Sequence, residues 1–324
     1  MERELALDFA RVTEAAALAA ARWVGRGNKE AADDAAVQAM RAVFDTIRMN
    51  GTVVIGEGEM DEAPMLYIGE KLGNGEGPEL DVAVDPLEGT NIVAKGLTGA
   101  IAVLAIARKG GLLHAPDMYM DKIAVGPAAK GCIDIDAPVA DNLAAVAKAT
   151  GKAVQDLTVV ILDRPRHREI IQQVRNCGAR IRLISDGDVS PAVACAIEGT
   201  GVDMMLGIGG APEGVLAAAA LRCLGGEMQG RLWPENDADA ARAQALGIVE
   251  VDRLLTMDDL VRDDNVVFSA TGITEGHLLR GVNFTGQGAI THTVVMRGKT
   301  GTVRFIEARH SFDKKPKYAM KGAC

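Results

Sequence analysis

The chain reads TVVIL at residues 158–162, RIRLI at residues 180–184 and VDMMLGI at residues 202–208. A helical pattern follows each of these aliphatic runs, at residues 166–176, 191–198 and 213–224. Strands that alternate with helices at such short spacing are typical of a parallel, doubly wound sheet. Ligands of a sheet of this kind bind at the carboxyl ends of its strands, so functional side chains are expected there.

Toward the N-terminus the pattern is less regular and predicts an α+β arrangement. Predicted helices cover residues 2–24, 33–49 and 64–72, and predicted strands cover residues 52–55, 80–85 and 99–107. The rhythm changes near residue 155, which predicts one domain over residues 1–155 and a second over residues 156–324. The expected fold class is α/β, with an α+β N-terminal half and a doubly wound, mostly parallel C-terminal half.

Composition and charge argue against several classes of protein. The 324 residues carry a formal net charge of −9, and no basic face of the kind that binds nucleic acid is visible. The five cysteines include no CxxC pair, which predicts reduced thiols in a cytoplasmic protein. A signal peptide and an apolar run long enough to span a bilayer are both absent from the sequence, so no membrane association is expected.

The strongest chemical signal is Asp85-Pro86-Leu87-Glu88-Gly89-Thr90, at the end of a predicted apolar strand. Pro86 turns the chain, which would let Glu88 point back toward Asp85. Two carboxylates beside the backbone N–H groups of Gly89 and Thr90 would suit a hard cation and a phosphate. A polar β-turn without function is an equally good interpretation of this string taken alone, because Asp, Pro and Gly are ordinary turn residues.

Three further carboxylates occupy the ends of predicted strands or the starts of predicted helices. Glu57 follows the strand at residues 52–55, Asp33 begins a helix, and Glu213 follows a strand and a glycine loop. Helix capping competes with metal binding at Asp33, and a solvated loop carboxylate is the alternative at the other two. Histidine is scarce and no HxxxH pattern occurs, so Mg²⁺ or Mn²⁺ is favoured over zinc.

The string at residues 85–90 resembles the D-P-x-[DE]-[GS]-[ST] signature of the lithium-sensitive, metal-dependent sugar phosphatases, which include inositol monophosphatases and fructose bisphosphatases. Other segments are similar, in the same order, to class II fructose-1,6-bisphosphatases, at residues 25–29, 56–65, 115–120, 165–167, 186–188 and 207–214. The resemblance extends from the N-terminus to about Lys299. It implies the layered α/β/α/β/α sugar-phosphatase fold, with metal-binding loops in the first domain and substrate binding in the second.

Carried over position by position, the resemblance implies a complete set of site residues. The implied metal ligands, for Mn²⁺ or Mg²⁺, are Asp33, Glu57, Asp85, Glu88 and Glu213. The implied catalytic residues are Lys29, Glu59, Asp61 and Thr90. The implied substrate contacts are Glu88, Gly89, Thr90, Tyr119, Arg164, Pro165, Arg166, Asp186, Gly187, Asp188 and Gly210. The sequence departs from many superfamily members at Glu88, where they have Asp, so this carboxylate has a longer arm.

The activity that the resemblance implies is metal-dependent hydrolysis of the 1-phosphate of fructose 1,6-bisphosphate, in gluconeogenesis or carbon fixation. A dual activity that includes sedoheptulose 1,7-bisphosphate is the first alternative, and another sugar or inositol phosphate is the second. The expected partners are a small sugar bisphosphate and further copies of the chain, as a dimer or tetramer.

Three rival functions can be weighed against the same residues. A haloacid-type aspartyl phosphatase needs a D-x-D pair, whereas Asp85 and Glu88 are three residues apart. A dinucleotide-binding loop needs a third glycine where Pro212 stands. A metal-binding protein without activity stays possible, but it gives no reason for the basic turn at residues 164–166. Simple packing also remains the alternative for Tyr119.

Overall fold

A computed structural model describes residues 5–58 and 63–314 of the chain. The helices are α1 (Leu5–Ala21), α2 (Lys29–Phe44), α3 (Thr90–Lys95), α4 (Val139–Thr150), α5 (Arg168–Asn176), α6 (Val189–Ala194), α7 (Ala211–Leu224), α8 (Asp237–Ala245) and α9 (Met257–Leu260). The strands are β1 (Asn50–Ile55), β2 (Lys71–Leu72), β3 (Glu79–Glu88), β4 (Ile101–Arg108), β5 (Tyr119–Val125), β6 (Thr158–Leu162), β7 (Arg180–Ile184), β8 (Met204–Gly210), β9 (Glu227–Trp233), β10 (Val267–Gly272), β11 (Asn283–Thr285), β12 (Gly288–Arg297) and β13 (Thr302–Ser311).

The chain divides into two compact units. One consists of Met1–Leu112 together with Asp263–Cys324, and the other of Leu113–Arg262. The boundary predicted near residue 155 falls inside the second unit and differs from this division. The strand–helix rhythm of the sequence could not indicate that the chain returns to the first unit after Arg262, because β10 to β13 carry no motif that links them to the N-terminal residues.

The first unit is built on an eight-stranded sheet in the order β11-β12-β10-β4-β3-β1-β2, with β13 paired to β12. The β1–β3 pairing is parallel, and the other pairings found in the described residues are antiparallel. Helix α1 packs on α2, β10 and β12. Its alanine-rich inner face and Phe9 belong to a hydrophobic core that also includes Phe44 and Leu104. Small side chains on α1 let the helix lie close to the sheet.

The second unit contains a five-stranded sheet in the order β7-β6-β8-β5-β9. The predicted β6-α5-β7-α6-β8-α7 succession is confirmed, and both β6–β7 and β6–β8 are parallel. One strand departs from the predicted mostly parallel sheet: β5 runs antiparallel to both of its neighbours, β8 and β9, whereas β9 points in the same direction as β8. No sequence pattern had marked β5 or β9. The fold class is α/β with two mixed sheets.

The helix predicted over residues 64–72 is wrong. Most of the segment forms turns, and its last two residues form strand β2. Leu66 has a φ of 56° and Gly69 has a φ of 92°, and both values are incompatible with a right-handed helix. The turn is held instead by the N–H of Glu57, which donates to the Leu66 carbonyl. Local helical spacing was overridden by this longer-range contact.

Within the described part of the chain, we find no helix with both the length and the apolar composition that a bilayer span requires.

A chain of buried hydroxyl groups joins α1 to the sheet of the first unit. The Thr271 hydroxyl donates to Thr13 Oγ1 at 2.8 Å, and Thr13 lies 3.0 Å from the Ser269 hydroxyl oxygen. The Thr293 hydroxyl is 2.8 Å from Thr271, and all four residues are fully buried. Since Thr271 Oγ1 uses its proton toward Thr13, Thr293 must be the donor in that pair. Thr13 therefore connects α1 to β10 through hydrogen bonds as well as apolar contacts.

We expect Thr13→Val to destabilise the first unit, because the isosteric change removes a hydrogen-bonding partner from both Ser269 and Thr271. Leaving buried hydroxyls unsatisfied costs about 1–3 kcal/mol of unfolding free energy. Thr302 is a matched control, since its hydroxyl bonds to Thr300 at 2.9 Å on the exposed surface. Chemical denaturation should give a change within about 0.5 kcal/mol for Thr302→Val. Equal effects of the two substitutions would contradict the role given to the buried cluster.

Candidate active site

A bulge in β3 brings Asp85 and Glu88 to the same side of the sheet. Asp85 pairs with Val103 of β4 and Glu88 pairs with Ile101, so three steps along β3 match two along β4. Side chains three residues apart on a regular strand point to opposite faces. The one-residue bulge reverses this, and carboxylate oxygens of Asp85 and Glu88 lie within 4.8 Å of each other.

The residues around the bulge explain why it forms at this position. Pro86 has no N–H to offer the ladder, and a bulge tolerates that loss. The N–H of Leu87 donates to Asp85 Oδ1 at 3.0 Å, which fixes the aspartate side chain on the turn. Gly89 follows with a φ of 97° and precedes the first residue of α3, Thr90, which is half-buried. A residue with a side chain would be strained at that φ.

The parallel register of β1 and β3 brings a second acidic pair to the same edge. Ile55 lies opposite Ala83, so Glu57 and Asp85, each two residues farther along, follow neighbouring strands at one end of the sheet. The carboxyl group of Glu57 is hydrogen-bonded to that of Asp33, which α2 supplies. Burial, reinforced by the Asp33 charge, raises the pKa of Glu57 to about 8. Without a cation, the pair therefore holds a proton at neutral pH.

Asp33 is not a helix cap. Helix α2 begins at Lys29, four residues earlier than predicted, and Asn28 is its N-cap, with the side-chain oxygen accepting from the N–H of Ala31 at 3.0 Å. Asp33 lies one turn inside the helix, and burial raises its pKa. The capping alternative left open by the sequence is therefore wrong for this residue.

The structure describes two of the four predicted catalytic residues, Thr90 and Lys29. Lys29 is exposed, and its Nζ lies 3.8 Å from Glu30 Oε1. Glu59 and Asp61 lie outside the described residues, so the predictions for them stay predictions. The loop before α2 is tied to α3, since the N–H groups of Gly25 and Gly27 donate to carbonyl oxygens of that helix.

In the second unit, Glu213 is the third residue of α7, after the N-cap Gly210. Burial raises its pKa, while the Lys122 charge and the bond from its own N–H act in the opposite direction. Its Oε2 atom is buried and has no hydrogen-bond partner among the described residues. An unsatisfied buried carboxylate oxygen is costly, so this atom is suited to receive a cation.

A buried ion pair lies beside Glu213 within the second unit. Lys122 is 1 % exposed, and its Nζ is 2.6 Å from Asp188 Oδ2 and 2.8 Å from the Gly210 carbonyl oxygen, to which it donates. Asp188 precedes α6, and Gly187 before it has a φ of 72°. Removing one partner of such a pair costs about 3–5 kcal/mol, because the other charge stays buried alone. Lys122 therefore fixes both Asp188 and the start of α7.

The basic turn after β6 is also held in place by contacts within the second unit. Residues Pro165–His167 form one turn of 3-10 helix. Arg164 Nη2 lies 3.7 Å from Asp186 Oδ1, and the guanidinium carbon of Arg166 lies 4.5 Å from the ring centre of Tyr119. The structure thus brings together the substrate contacts predicted on β5, after β6 and after β7.

Two further buried polar residues of this unit, Lys122 and His167, lie next to predicted site residues. Lys122 lies on the same strand face as Met120 and Ala124, both fully buried, so a charge in an apolar row was the available signal. His167 directly follows the basic turn, where it is almost fully buried and is the N-cap residue of α5.

The donor chemistry of the first unit fits a hard divalent cation. Asp33, Glu57, Asp85 and Glu88 offer only carboxylate oxygens, which are the ligands that Mg²⁺ and Mn²⁺ prefer. A proton held between two of these groups is what a cation would replace. This acidic cluster could therefore bind a divalent metal ion.

Comparison with known proteins agrees with this chemistry. The family described as "Bacterial fructose-1,6-bisphosphatase, glpX-encoded" matches residues 3–310. The chain is 51 % identical to the fructose-1,6-bisphosphatase class 2 of Haemophilus influenzae, over 97 % of this chain and 98 % of the relative. It is 50 % identical to fructose-1,6-bisphosphatase 1 class 2 of Escherichia coli K12, over 97 % of both chains. The chain therefore belongs to the bacterial, glpX-encoded fructose-1,6-bisphosphatase family.

Proposed function

We propose that this protein is a phosphatase that hydrolyses the 1-phosphate of fructose 1,6-bisphosphate and releases fructose 6-phosphate and phosphate. The observation that carries the proposal is the presence of two carboxylate pairs, Asp85–Glu88 and Asp33–Glu57, at one edge of the sheet in a chain of the fructose-1,6-bisphosphatase family. The relatives at 50–51 % identity carry that activity in their names. No described feature favours sedoheptulose bisphosphate, which stays a substrate to be tested.

Phosphate monoesters hydrolyse very slowly in water, so the site must supply charge and positioning. Mn²⁺ or Mg²⁺ bound at the acidic cluster would neutralise phosphoryl oxygens and activate a water molecule. The hydroxyl of Thr90, at the start of α3, would orient that water for in-line attack on phosphorus. Asp33 or Asp61 would accept the water proton as the new P–O bond forms, and the sugar oxygen would take up a proton from solvent as its own P–O bond breaks. No covalent phosphoenzyme is required.

Glu213 is a further proposed metal ligand. Its Oε2 has no partner in the described residues, and the Lys122–Asp188 ion pair holds the turn that presents it. We infer that Lys122 offsets the charge of Asp188, which leaves the charge of Glu213 for a cation.

Arg164 and Arg166 are proposed to recognise the distal phosphate of the substrate, the one that is not cleaved. The acidic cluster serves the scissile phosphate, and a bisphosphate carries a second dianion that also needs partners. The 3-10 turn and the Tyr119 ring already restrain this basic segment, so little further ordering is needed on binding.

We expect turnover to depend strictly on a divalent metal ion and on the charge of Glu213. Phosphate release should stop in excess chelator and return with Mn²⁺ or Mg²⁺. A panel of sugar phosphates assayed with each metal will identify the preferred combination of substrate and metal.

Glu213→Gln should fold normally and lose most of its kcat, since the metal acts mainly on the transition state.

Glu169 is the matched control, because it too lies in the first turn of a helix, α5, but is exposed. Glu169→Gln should keep its kcat and its metal requirement. Full turnover of the wild-type protein in excess chelator, or normal kcat of Glu213→Gln, would contradict the metal-dependent mechanism.

We expect Arg166→Ala to raise KM for fructose 1,6-bisphosphate about tenfold or more and to leave kcat nearly unchanged. A charge-assisted hydrogen bond contributes roughly 1.5–3 kcal/mol, and about 1.4 kcal/mol corresponds to a factor of ten. Fructose 1-phosphate lacks the distal phosphate, so its kcat/KM should barely change. Arg175→Ala, an exposed arginine in the last turn of α5, serves as the control. Equal losses on the two substrates would assign Arg166 to the scissile phosphate.

The cytoplasmic location and the homo-oligomeric state expected from the sequence are further parts of this proposal. Light scattering coupled to size-exclusion chromatography measures the oligomeric state directly. A monomer at assay concentration would contradict the expected homo-oligomer.

A further inference from the structure

Strand β8 continues beyond its parallel pairing with β6. The ladder between them joins Val159 to Met204 and Val160 to Met205, whereas β8 extends to Gly210. Ile208 lies opposite Asp121 of β5. Its own N–H and C=O groups are bonded instead to side chains of the segment that follows β6. Buried backbone groups must find partners, so the segment at residues 164–167 replaces the missing ladder.

His167 satisfies the N–H of Ile208, and the geometry fixes its tautomer. The N–H of Ile208 donates to His167 Nε2 at 2.8 Å, and His167 Nδ1 lies 2.7 Å from the Leu162 carbonyl oxygen. A backbone N–H can only donate and a carbonyl oxygen can only accept, so Nε2 is bare and Nδ1 carries the proton. The ring is 1 % exposed and must be neutral to make both bonds.

Arg166 satisfies the other polar group of the same residue. Its Nε and Nη2 donate to the Ile208 carbonyl oxygen at 3.2 and 2.8 Å, while its guanidinium group lies over Tyr119. We find no hydrogen bond from Arg166 Nη1 to the described residues. The guanidinium group is therefore held along one edge, and its outer edge can meet a dianion without losing further freedom.

Gly207 permits this close approach of the imidazole to the strand. A Cβ at this position would lie 2.9 Å from His167 Nε2, and its φ of 124° disfavours residues with side chains. The absence of a side chain at Gly207 thus leaves room for the His167 ring. The N–H of Ile208 bonds to His167, and its carbonyl oxygen bonds to Arg166.

We propose that His167 is a positioning residue for the bisphosphatase reaction: with its proton on Nδ1, it holds the Arg164–Arg166 turn against β8 and so presents Arg166 to the distal phosphate. Protonation of Nε2 breaks the bond to Ile208, which makes recognition of that phosphate sensitive to pH. The inference rests on the proposed function, whereas the tautomer and the hydrogen bonds do not.

The charged groups around His167 agree with a neutral ring. Burial lowers the pKa of His167, and the positive charges of Arg166 and Arg164 lower it further, while Asp121 of β5 and the bond to Leu162 raise it. The unfolded histidine has a pKa near 6.5. Because the folded pKa lies below that value, the stabilising bonds are complete above about pH 6.5 and are lost as the pH falls toward the folded pKa.

The test compares two substitutions of His167 at several pH values. Phe fills the volume but makes neither bond, so we expect His167→Phe to raise KM for fructose 1,6-bisphosphate by about three- to tenfold at pH 8. Its kcat/KM for fructose 1-phosphate should stay unchanged. Gln can accept the Ile208 bond with its side-chain oxygen and does not titrate. His167→Gln should therefore restore KM at pH 8, and it should lose the rise in KM that the wild-type protein shows as the pH falls through the folded pKa of His167, which lies below 6.5.

His114→Gln is the control, since His114 is an exposed histidine of the same unit. It should keep the wild-type pH profile, including the part that comes from ionisation of the substrate. Equal losses of His167→Phe on both substrates, or an acid-side KM rise that persists in His167→Gln, would overturn the proposal.

A readout without substrate separates this inference from the proposed function. Long-range ¹H–¹⁵N spectra of the metal-free protein should record His167 as the neutral tautomer protonated on Nδ1, and this signature should persist below pH 6.5. A ring protonated on Nε2 at pH 8 would overturn the inference whatever the protein hydrolyses. If the wild-type protein releases no phosphate from fructose 1,6-bisphosphate, the proposed function fails, and the spectrum alone then decides the role of His167 in holding the turn.

Discussion

The parallel pairing of β1 with β3 is the constraint on which the acidic cluster depends. The rest of that sheet is antiparallel, and an antiparallel neighbour would have sent the next carboxylate to the opposite end. Val53 and Val82 lie opposite each other in this pair and are almost fully buried, so apolar packing fixes the register. That packing offsets the repulsion between carboxylates gathered just beyond the strand ends. The bulge at residues 85–88 then adds Glu88, which a regular strand would have turned away.

The sequence allowed accurate prediction where local pattern and tertiary structure agree. The strands at residues 158–162 and 180–184 have the predicted bounds, because β-rich runs between helices leave few alternatives. The helix predicted at residues 64–72 is absent, because the backbone of this segment is set by the hydrogen bond from the Glu57 N–H to the Leu66 carbonyl. Strand β5 escaped notice because its pairing partners come later in the chain, beyond residue 200. Pattern within a short window carries no information about such partners.

The candidate site could likewise be predicted where a local sequence pattern marks it, but not where it depends on contacts distant in sequence. Asp85 and Glu88 could be found because a proline and a glycine mark the turn that joins them. Lys122 could not be assigned a role, since its partner Asp188 is distant in sequence and its burial depends on the whole sheet. The hydrogen bonds of His167 are equally non-local, and no motif encodes the tautomer of a histidine. A short sequence signature therefore marks the carboxylates of the candidate site, whereas the buried contacts of Lys122 and His167 leave almost no local pattern.

The division of the first unit between the two ends of the chain has a consequence for its biosynthesis. The second unit is continuous from Leu113 to Arg262, so all of its strands leave the ribosome before β10 does. Strand β4 meanwhile has one edge unpaired, because its antiparallel neighbour β10 is made only after the whole second unit. An apolar strand with an open edge invites association with other chains. The interval between synthesis of β4 and synthesis of β10, in which the whole second unit is made, is therefore a time when this polypeptide can associate with other chains through that open edge.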